Sequence, residues 1–430
     1  MADAVTPPRG MRDFLPADKA RRERVLAIIR DVYRRHGFDE IETPVLEDSA
    51  RLHAGLGGDN EKLAFAVMKR GLSVTDLHAA AEPLELADLG LRFDLTVPLA
   101  RYYATHRAEL PSVFRAIQIA PVWRAERPQK GRYRQFVQCD IDIVGESSIR
   151  AEAELVLASL DALDELGLSD AIVRVNDRRL LFGMLTDFGF APEDFDAVLI
   201  TIDKLDKLGP EGVVAELGER TGSAAAIEAF RAFLMRPQTR EYLPYSERAI
   251  RTALPEGADP DVVAELVALG TAVAAGRGSG AEVPLRFDPF LVRGMGYYTG
   301  PIFEVAHPSV PYSLGGGGRY DGMIGRFLGD DVPATGFSLG FERLVDLVDV
   351  PDESGADAVA LLHDADAPLA ELLALKAAVL ATGSRVRLAP RIRNTKRQLD
   401  ELAAEGFTRF AMVGTEALAD PTTLELRPLA

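Results

Sequence analysis

A chain of 430 residues, 47% hydrophobic and 27% charged, has the composition of a soluble globular protein and the length for roughly two or three domains. Cys139 is its only cysteine, which excludes a disulfide framework and fits a reducing compartment. The net charge of −17 excludes a generally basic nucleic-acid coat but leaves room for local basic patches.

The opening thirty residues lack the apolar core of a signal peptide. Nowhere do about 18 apolar residues follow one another, as a membrane span requires. The expectation is a cytoplasmic protein with no membrane partner.

Residues 17–36 set Val25, Ile28, Ile29 and Val32 at helical spacing, and Gly37 is placed to end the helix. FDEIETPVLE (38–47) reads as a strand bent or edged at Pro44. Residues 90–104 read as a strand entering a helix. Residues 113–124 and 136–145 read as two antiparallel strands. The loop between them, WRAERPQKGRYR (123–134), holds five basic residues and one acid. A second clear helix spans 150–167.

From about 178 to 280 the pattern turns helical and acidic, broken by GPEG, PEGADP and GRGSG. This predicts a helical insertion module between two parts of one domain, 1–177 and 281–350. Strand-like segments return at 284–306, followed by the glycine run LGGGGRYDG (314–322) and a strand–helix at 334–348. PDESGAD (351–357) is a linker by composition. Residues 356–430 then alternate: strand VALLH, helix 366–382, strand RVRLA, helix 394–405, strands FAMVG and TLELR. That alternation predicts a small α/β domain with a largely parallel sheet. Its segment 385–397 holds six basic residues and no acid.

No Walker A sequence, no GxGxxG after a first strand and no Cys/His metal spacing is present. The six histidines are scattered. The chemistry therefore rests on other residues. Arg124, Glu126, Arg132 and Arg134 sit in a loop supported by two strands, and the planar guanidinium fork suits phosphate. A charged hairpin tip would have the same composition. Arg293, in the apolar run FLVRGMGYY, is a cation that needs a purpose if buried.

The run R-x-E-R-P-Q-x-G-R-x-R-Q-F (124–136) resembles motif 2 of the histidyl-tRNA synthetases. GFSLGFERL (336–344), with Gly340, Glu342 and Arg343, resembles class II motif 3, and Ile41 to Pro44 resembles motif 1, whose proline lies at the dimer interface. LVRGMGYYTGPIFE (291–304) and GGGGRYDG (315–322) resemble the two histidine-specific peptides of that family.

The resemblance covers nearly all of the chain. It implies an α+β fold: a class II antiparallel-sheet catalytic domain with a helical insertion, and a shortened α/β anticodon-binding-like domain. It further implies a homodimer acting on ATP, brought in with Mg2+, on L-histidine and on tRNA(His), with no metal held by the protein. Arg124 and Arg293 are then the catalytic arginines, and Arg124, Glu126, Arg132 and Arg343 hold ATP. Asp94, Thr96, Gln138, Asp142, Tyr297 and Tyr298 hold histidine. Adjacent strand residues face opposite ways, so only one tyrosine, Tyr298, is expected to meet the ligand directly. The glycines Gly316, Gly317 and Gly318 are expected to let backbone approach a ligand with positive φ. Gln129, Arg134, Arg391 and Arg393 are the tRNA candidates.

Two departures stand out. Gly296 occupies a place where the family commonly has an acid, and the chain stops at TLELRPLA without the expected closing helix. The rival readings are a non-catalytic, histidine-sensing regulatory subunit of ATP phosphoribosyltransferase, and a paralogue that passes its adenylate to an acceptor other than tRNA.

Overall fold

The computed structural model describes residues 5–53, 63–128, 131–221, 223–236, 243–278, 283–293, 296–349 and 357–429. Two compact units emerge, one of Met1–Asp13 with Arg22–Asp349 and a smaller one of Phe14–Arg21 with Val350–Ala430.

Among the described residues of the larger unit, nine strands form one sheet. They are β1 (Asp39–Glu40), β5 (Phe114–Trp123), β6 (Gln135–Val144), β7 (Ile172–Asp177), β8 (Leu243–Pro244), β9 (Leu285–Phe287), β10 (Pro301–His307), β11 (Val310–Arg319) and β12 (Ala334–Gly340). Their order is β1-β5-β6-β12-β11-β10-β7-β9-β8. The pairings are antiparallel except β1 with β5 and β7 with β9. The strands β2 (Leu46–Asp48), β3 (Phe65–Met68) and β4 (Ala87–Leu91) make a separate small sheet.

The centre of the large sheet follows from alternation. In β6, Cys139, Ile141 and Ile143 are fully buried, and the helix Arg150–Glu165 packs against β6 and β12. Gln138, Asp140 and Asp142 take the opposite face by the strand's period of two. Pairing registers then extend a row of residues across the sheet. Arg174 lies opposite Glu304, Glu304 opposite Gly316, Gly316 opposite Ser338, Ser338 opposite Asp140, and Asp140 opposite Gln118. Of this row, Gly316, Ser338 and Asp140 line the site described below.

The glycine run lies within a strand. Gly315–Gly318 lie inside β11, where backbone meets backbone. A Cβ on Gly317 would stand 1.9 Å from the Gly336 carbonyl oxygen, and one on Gly316 would stand 2.3 Å from that of Phe303. Close strand approach demands these glycines, and Gly316 and Gly318 also take the expected positive φ, at 159° and 158°.

The described residues of segment 178–280 are mainly helical: Arg178–Phe188, Phe195–Ile202, Leu205–Arg220, Ala224–Leu234, Glu247–Ala253 and Pro260–Arg277. Asp177 caps the first helix through the Arg179 amide. The segment joins the larger unit through its own core. Phe230 and Phe233 meet Phe290 edge-on at 6.1 and 5.9 Å, and β8 pairs with β9.

In the smaller unit β13 (Ala358–His363) runs parallel to β14 (Arg385–Pro390) and β15 (Arg409–Met412), with β16 (Arg427–Pro428) antiparallel at the edge. The expected strand TLELR shrinks to this two-residue bridge, because Pro421–Thr423 close a 3-10 turn. No described helix is long and apolar enough to cross a membrane.

Candidate active site

A cavity of about 260 Å³ opens over the row, between the β5–β6 loop and β11–β12. Four arginines line it: Arg132, Arg293 and Arg343, whose charges act on one another at one end, and Arg124, whose charge acts on Asp140. Arg124, just past β5, donates through Nε to the Phe93 carbonyl at 2.9 Å, and its guanidinium lies 5.1 Å from the Phe136 ring centroid. Arg343, in the short helix Phe341–Leu344 after β12, donates to the Ser313 carbonyl at 2.5 Å, with the Tyr312 ring centroid 5.2 Å from its guanidinium.

Burial, and next the charge of Arg132, push the Arg343 guanidinium below its usual range, with Arg293 acting in the same sense. Guanidiniums do not discharge in proteins. Cations that repel one another at a half-dry site form a receptor for an anion of high charge. Arg293 is opposed by burial, but Tyr298 and Glu304 outweigh that and hold its charge. Glu126 is buried and pairs with Arg132, Nη2–Oε1 3.1 Å. Glu342 is also buried, ion-paired to Arg12 and Arg22 and accepting from the Val137 amide at 3.2 Å.

The other end of the cavity is acidic. Asp94, Asp140 and Asp142 are all buried there. Asp94 accepts from the Val97 amide at 3.2 Å, so the start of the helix Thr96–His106 fixes its carboxyl. Burial pushes Asp142 up to about 7, with Asp94 adding to the effect and the Tyr320 hydroxyl, donating at 2.6 Å, opposing it. Burial and then Asp142 hold Asp140 well above the usual carboxylate range. Gln138 donates to the Ser338 hydroxyl at 3.0 Å, while its Oε1 is buried with no hydrogen-bond partner among the described residues. Acceptors gathered in a dry pocket beside tyrosine hydroxyls suit a ligand with an ammonium group and a small polar ring.

The histidyl-tRNA synthetase family profile matches residues 10–344. The chain belongs to the histidyl-tRNA synthetase family. A histidine–tRNA ligase of Leifsonia xyli subsp. xyli is 59% identical over 433 residues, covering 100% of this chain and 99% of that protein. The solved histidyl-tRNA synthetase of Nostoc sp. PCC 7120 superposes with a TM-score of 0.75 at 25% identity, over 99% of this chain and 95% of that one. An ATP phosphoribosyltransferase regulatory subunit/histidyl-tRNA synthetase from Bacillus halodurans C shares the fold alone, with a TM-score of 0.74 at 22% identity, over 95% of this chain and 98% of that one.

Of the residues that resemblance to this family singles out, the cavity gathers Arg124, Glu126, Arg132, Arg293, Arg343, Asp94, Thr96, Gln138, Asp142, Tyr297, Tyr298 and Gly316–Gly318. The expectation that only Tyr298 faces it is corrected. Residues 297 and 298 follow a turn and precede β10, so strand alternation does not apply. Both rings line the cavity, 4.8 Å apart and edge to face, and Tyr297 hydrogen-bonds Thr96.

Arg134 does not line the cavity; its Nε donates to the Glu126 carbonyl at 3.0 Å, and its amide donates to the Gly10 carbonyl. Gln129 lies outside the described residues. Arg391 and Arg393 are exposed just past β14 in the smaller unit, Arg391 paired with Asp364 at 3.1 Å.

Sequence reasoning missed Asp140, Tyr320 and Ser338. Asp140 could have been found, because it sits between Gln138 and Asp142 at the same period of two. Tyr320 stood in the quoted GGGGRYDG peptide. A Cβ on Gly336 would lie 2.0 Å from Asp142 Oδ1, so that glycine makes room for the carboxyl. At Gly296 a Cβ would meet nothing within 4 Å, so the acid common in this family would have space there.

Proposed function

We propose that this chain activates histidine with Mg-ATP and transfers it to the 3′ end of tRNA(His). The observation that supports the reading is one cavity lined by four arginines and three buried aspartates, in a chain of the histidyl-tRNA synthetase family. Nucleotide and amino acid each find the opposite charge there.

In the first step a carboxylate oxygen of histidine attacks the α-phosphorus, and pyrophosphate leaves with the electrons of the broken P–O bond. Arg124 grips the α-phosphate. Arg343 stacks on adenine and meets the γ-phosphate, assisted by Arg132, while Glu126 accepts from the adenine amino group. Glu126 is bound to Arg132 without ligand, so that pair opens when the base enters. Arg293 adds a fixed cation where charge grows on the α-phosphate; such a group is commonly worth about 3–4 kcal/mol of barrier.

Asp94, Gln138 and Asp142 hold the α-ammonium group and imidazole, together with Thr96, Tyr297 and Tyr298. Close packing at Gly316–Gly318 keeps side chains out of the ligand's way. In the second step the terminal ribose hydroxyl attacks the adenylate carbonyl, the bond from acyl carbon to phosphate oxygen breaks, and AMP leaves with its electrons while the hydroxyl proton passes to the departing phosphate. No covalent enzyme intermediate is required, because positioning and electrostatics suffice. Gln129, Arg134, Arg391 and Arg393 remain candidates for tRNA contact, with Arg134 acting through the loop it braces.

A homodimer is part of the reading. Val45, Leu46, Met68 and Leu89 on and beside the small β2-β4-β3 sheet are exposed apolar residues that a second copy would cover. Action in the cytoplasm follows from the same reading. The regulatory-subunit alternative gives no role to the four arginines that line this cavity.

Histidine-dependent ATP–pyrophosphate exchange separates a synthetase from that regulator, which would give none. Charging of transcribed tRNA(His) separates it from a paralogue with another acceptor. Light scattering at the monomer mass would remove the dimer.

A further inference from the structure

Arg293 does not stand alone. Its Nη1 donates to Glu304 Oε2 at 3.2 Å, and the other oxygen of the same carboxylate accepts from Arg174 Nη1 at 2.9 Å. Arg174 is anchored in turn, donating through Nε to Asp288 at 2.8 Å and reaching Asp206 of the insertion segment at 3.5 Å. The arrangement is built into the sheet, since Arg174, Glu304 and Gly316 are cross-strand partners in one row. The Arg293 guanidinium lies over the gap left by Gly316, where a Cβ would come within 3.0 Å of its Cζ.

Glu304 itself does not line the cavity that Arg293 lines but a second one, beside Arg174, Asp206 and Asp288, and its hydrogen bond to Arg293 links it to the site. Both members of the Arg174–Glu304 pair are largely shielded from water, with side-chain exposures of 11% and 20%. A pair so placed is screened less than a surface one. One of five N–H donors of Arg293 faces Glu304, leaving others for a ligand.

We infer that Glu304, anchored by Arg174, is a positioning residue that fixes the Arg293 guanidinium where charge develops on the α-phosphate. The inference rests on the reading of Arg293 as a catalytic arginine. A long side chain ordered in advance does not have to be ordered during the reaction. Through Asp206 the chain of ion pairs also ties Arg293 to the first turn of the helix Leu205–Arg220.

The test is a double-mutant cycle in the full-length enzyme, read by histidine-dependent ATP–pyrophosphate exchange with separate KM values for ATP and histidine. Glu304→Gln lowers kcat about 10- to 100-fold, as a small misplacement of a catalytic group does. Both KM values stay within about threefold, because uniform binding is kept. In an Arg293→Ala background the same change costs less than about threefold, because its target is gone.

If Glu304→Gln slows exchange equally in both backgrounds, or leaves the wild-type rate untouched, the positioning role is wrong. If Arg293→Ala alone exchanges normally, the underlying reading of Arg293 fails instead. Should Glu304→Gln melt below the assay temperature, Glu304→Asp goes through the same cycle. It keeps the charge and the Arg174 pair but withdraws by a methylene, and an intermediate rate is expected. Equal loss in both backgrounds would overturn the proposal there too.

Discussion

The two ends of the cavity handle charge by opposite rules. At the arginine end the guanidiniums stay charged whatever burial does, so Arg343, Arg132 and Arg293 repel one another until an anion arrives. At the carboxylate end burial can discharge the groups, and Asp142 is poised at about 7. One end is a fixed receptor and the other is tunable. Nucleotide binding should therefore be nearly flat across neutral pH, whereas histidine binding should not.

The largest expected effect strikes the arginine end. Arg293→Ala should lower pyrophosphate exchange about 10²- to 10³-fold, the loss of one preorganised donor, with ATP and histidine affinity by calorimetry largely kept. A variant that exchanges normally would detach Arg293 from the chemistry.

At the acidic end, Asp142→Asn should lower kcat/KM for histidine about 10- to 100-fold, the range for losing a hydrogen bond to a charged group. KM for ATP should stay within about threefold. An equal rise in both KM values would erase the division of labour between the ends.

The pH dependence comes next. A carboxyl with its pKa raised to about 7 is protonated below that value and loses its hold on an ammonium group. From pH 8 to pH 6, kcat/KM for histidine should fall by about tenfold in the wild type relative to Asp142→Asn. That ratio cancels the titration of histidine's own ring. Stability runs the other way. A buried carboxyl whose folded pKa exceeds its unfolded one weakens the fold as pH rises, from near 4 until the penalty is complete above about 7. Asp142→Asn should thus melt higher than the wild type at pH 8, and the gain should shrink toward pH 4.

The smallest effect is assigned to Gly296→Asp. Its Cβ meets open space, so exchange should stay within about threefold of the wild type. A large gain or loss would mean that this position governs its neighbours.

The order of elements was legible because strong periodicity marks it. The helices Pro16–Arg35 and Arg150–Glu165 and the pair β5–β6 lie within a residue or two of where apolar spacing put them. The errors have physical causes. Gly316–Gly318 were expected to bring backbone close to a ligand, yet what they make room for is the backbone of the neighbouring strands. Tyr297 and Tyr298 were judged by strand alternation in a stretch that is not a strand.

Motif resemblance named the cavity's charged ends but not their mutual electrostatics. Asp140 escaped notice although its register makes it a floor residue beside Gln138 and Asp142. Glu304 sat in a quoted peptide, but its link to Arg174 depends on strands far apart in sequence. A single chain read linearly cannot show that pairing.

The most direct test of the account is capture of the intermediate. The protein is incubated with Mg-ATP, pyrophosphatase and each amino acid in turn, and the bound species is identified by mass spectrometry after rapid desalting. Opposite charges converging on one cavity predict histidyl-adenylate from histidine and none from the others. No adenylate at all, or one built on a different amino acid, would contradict it.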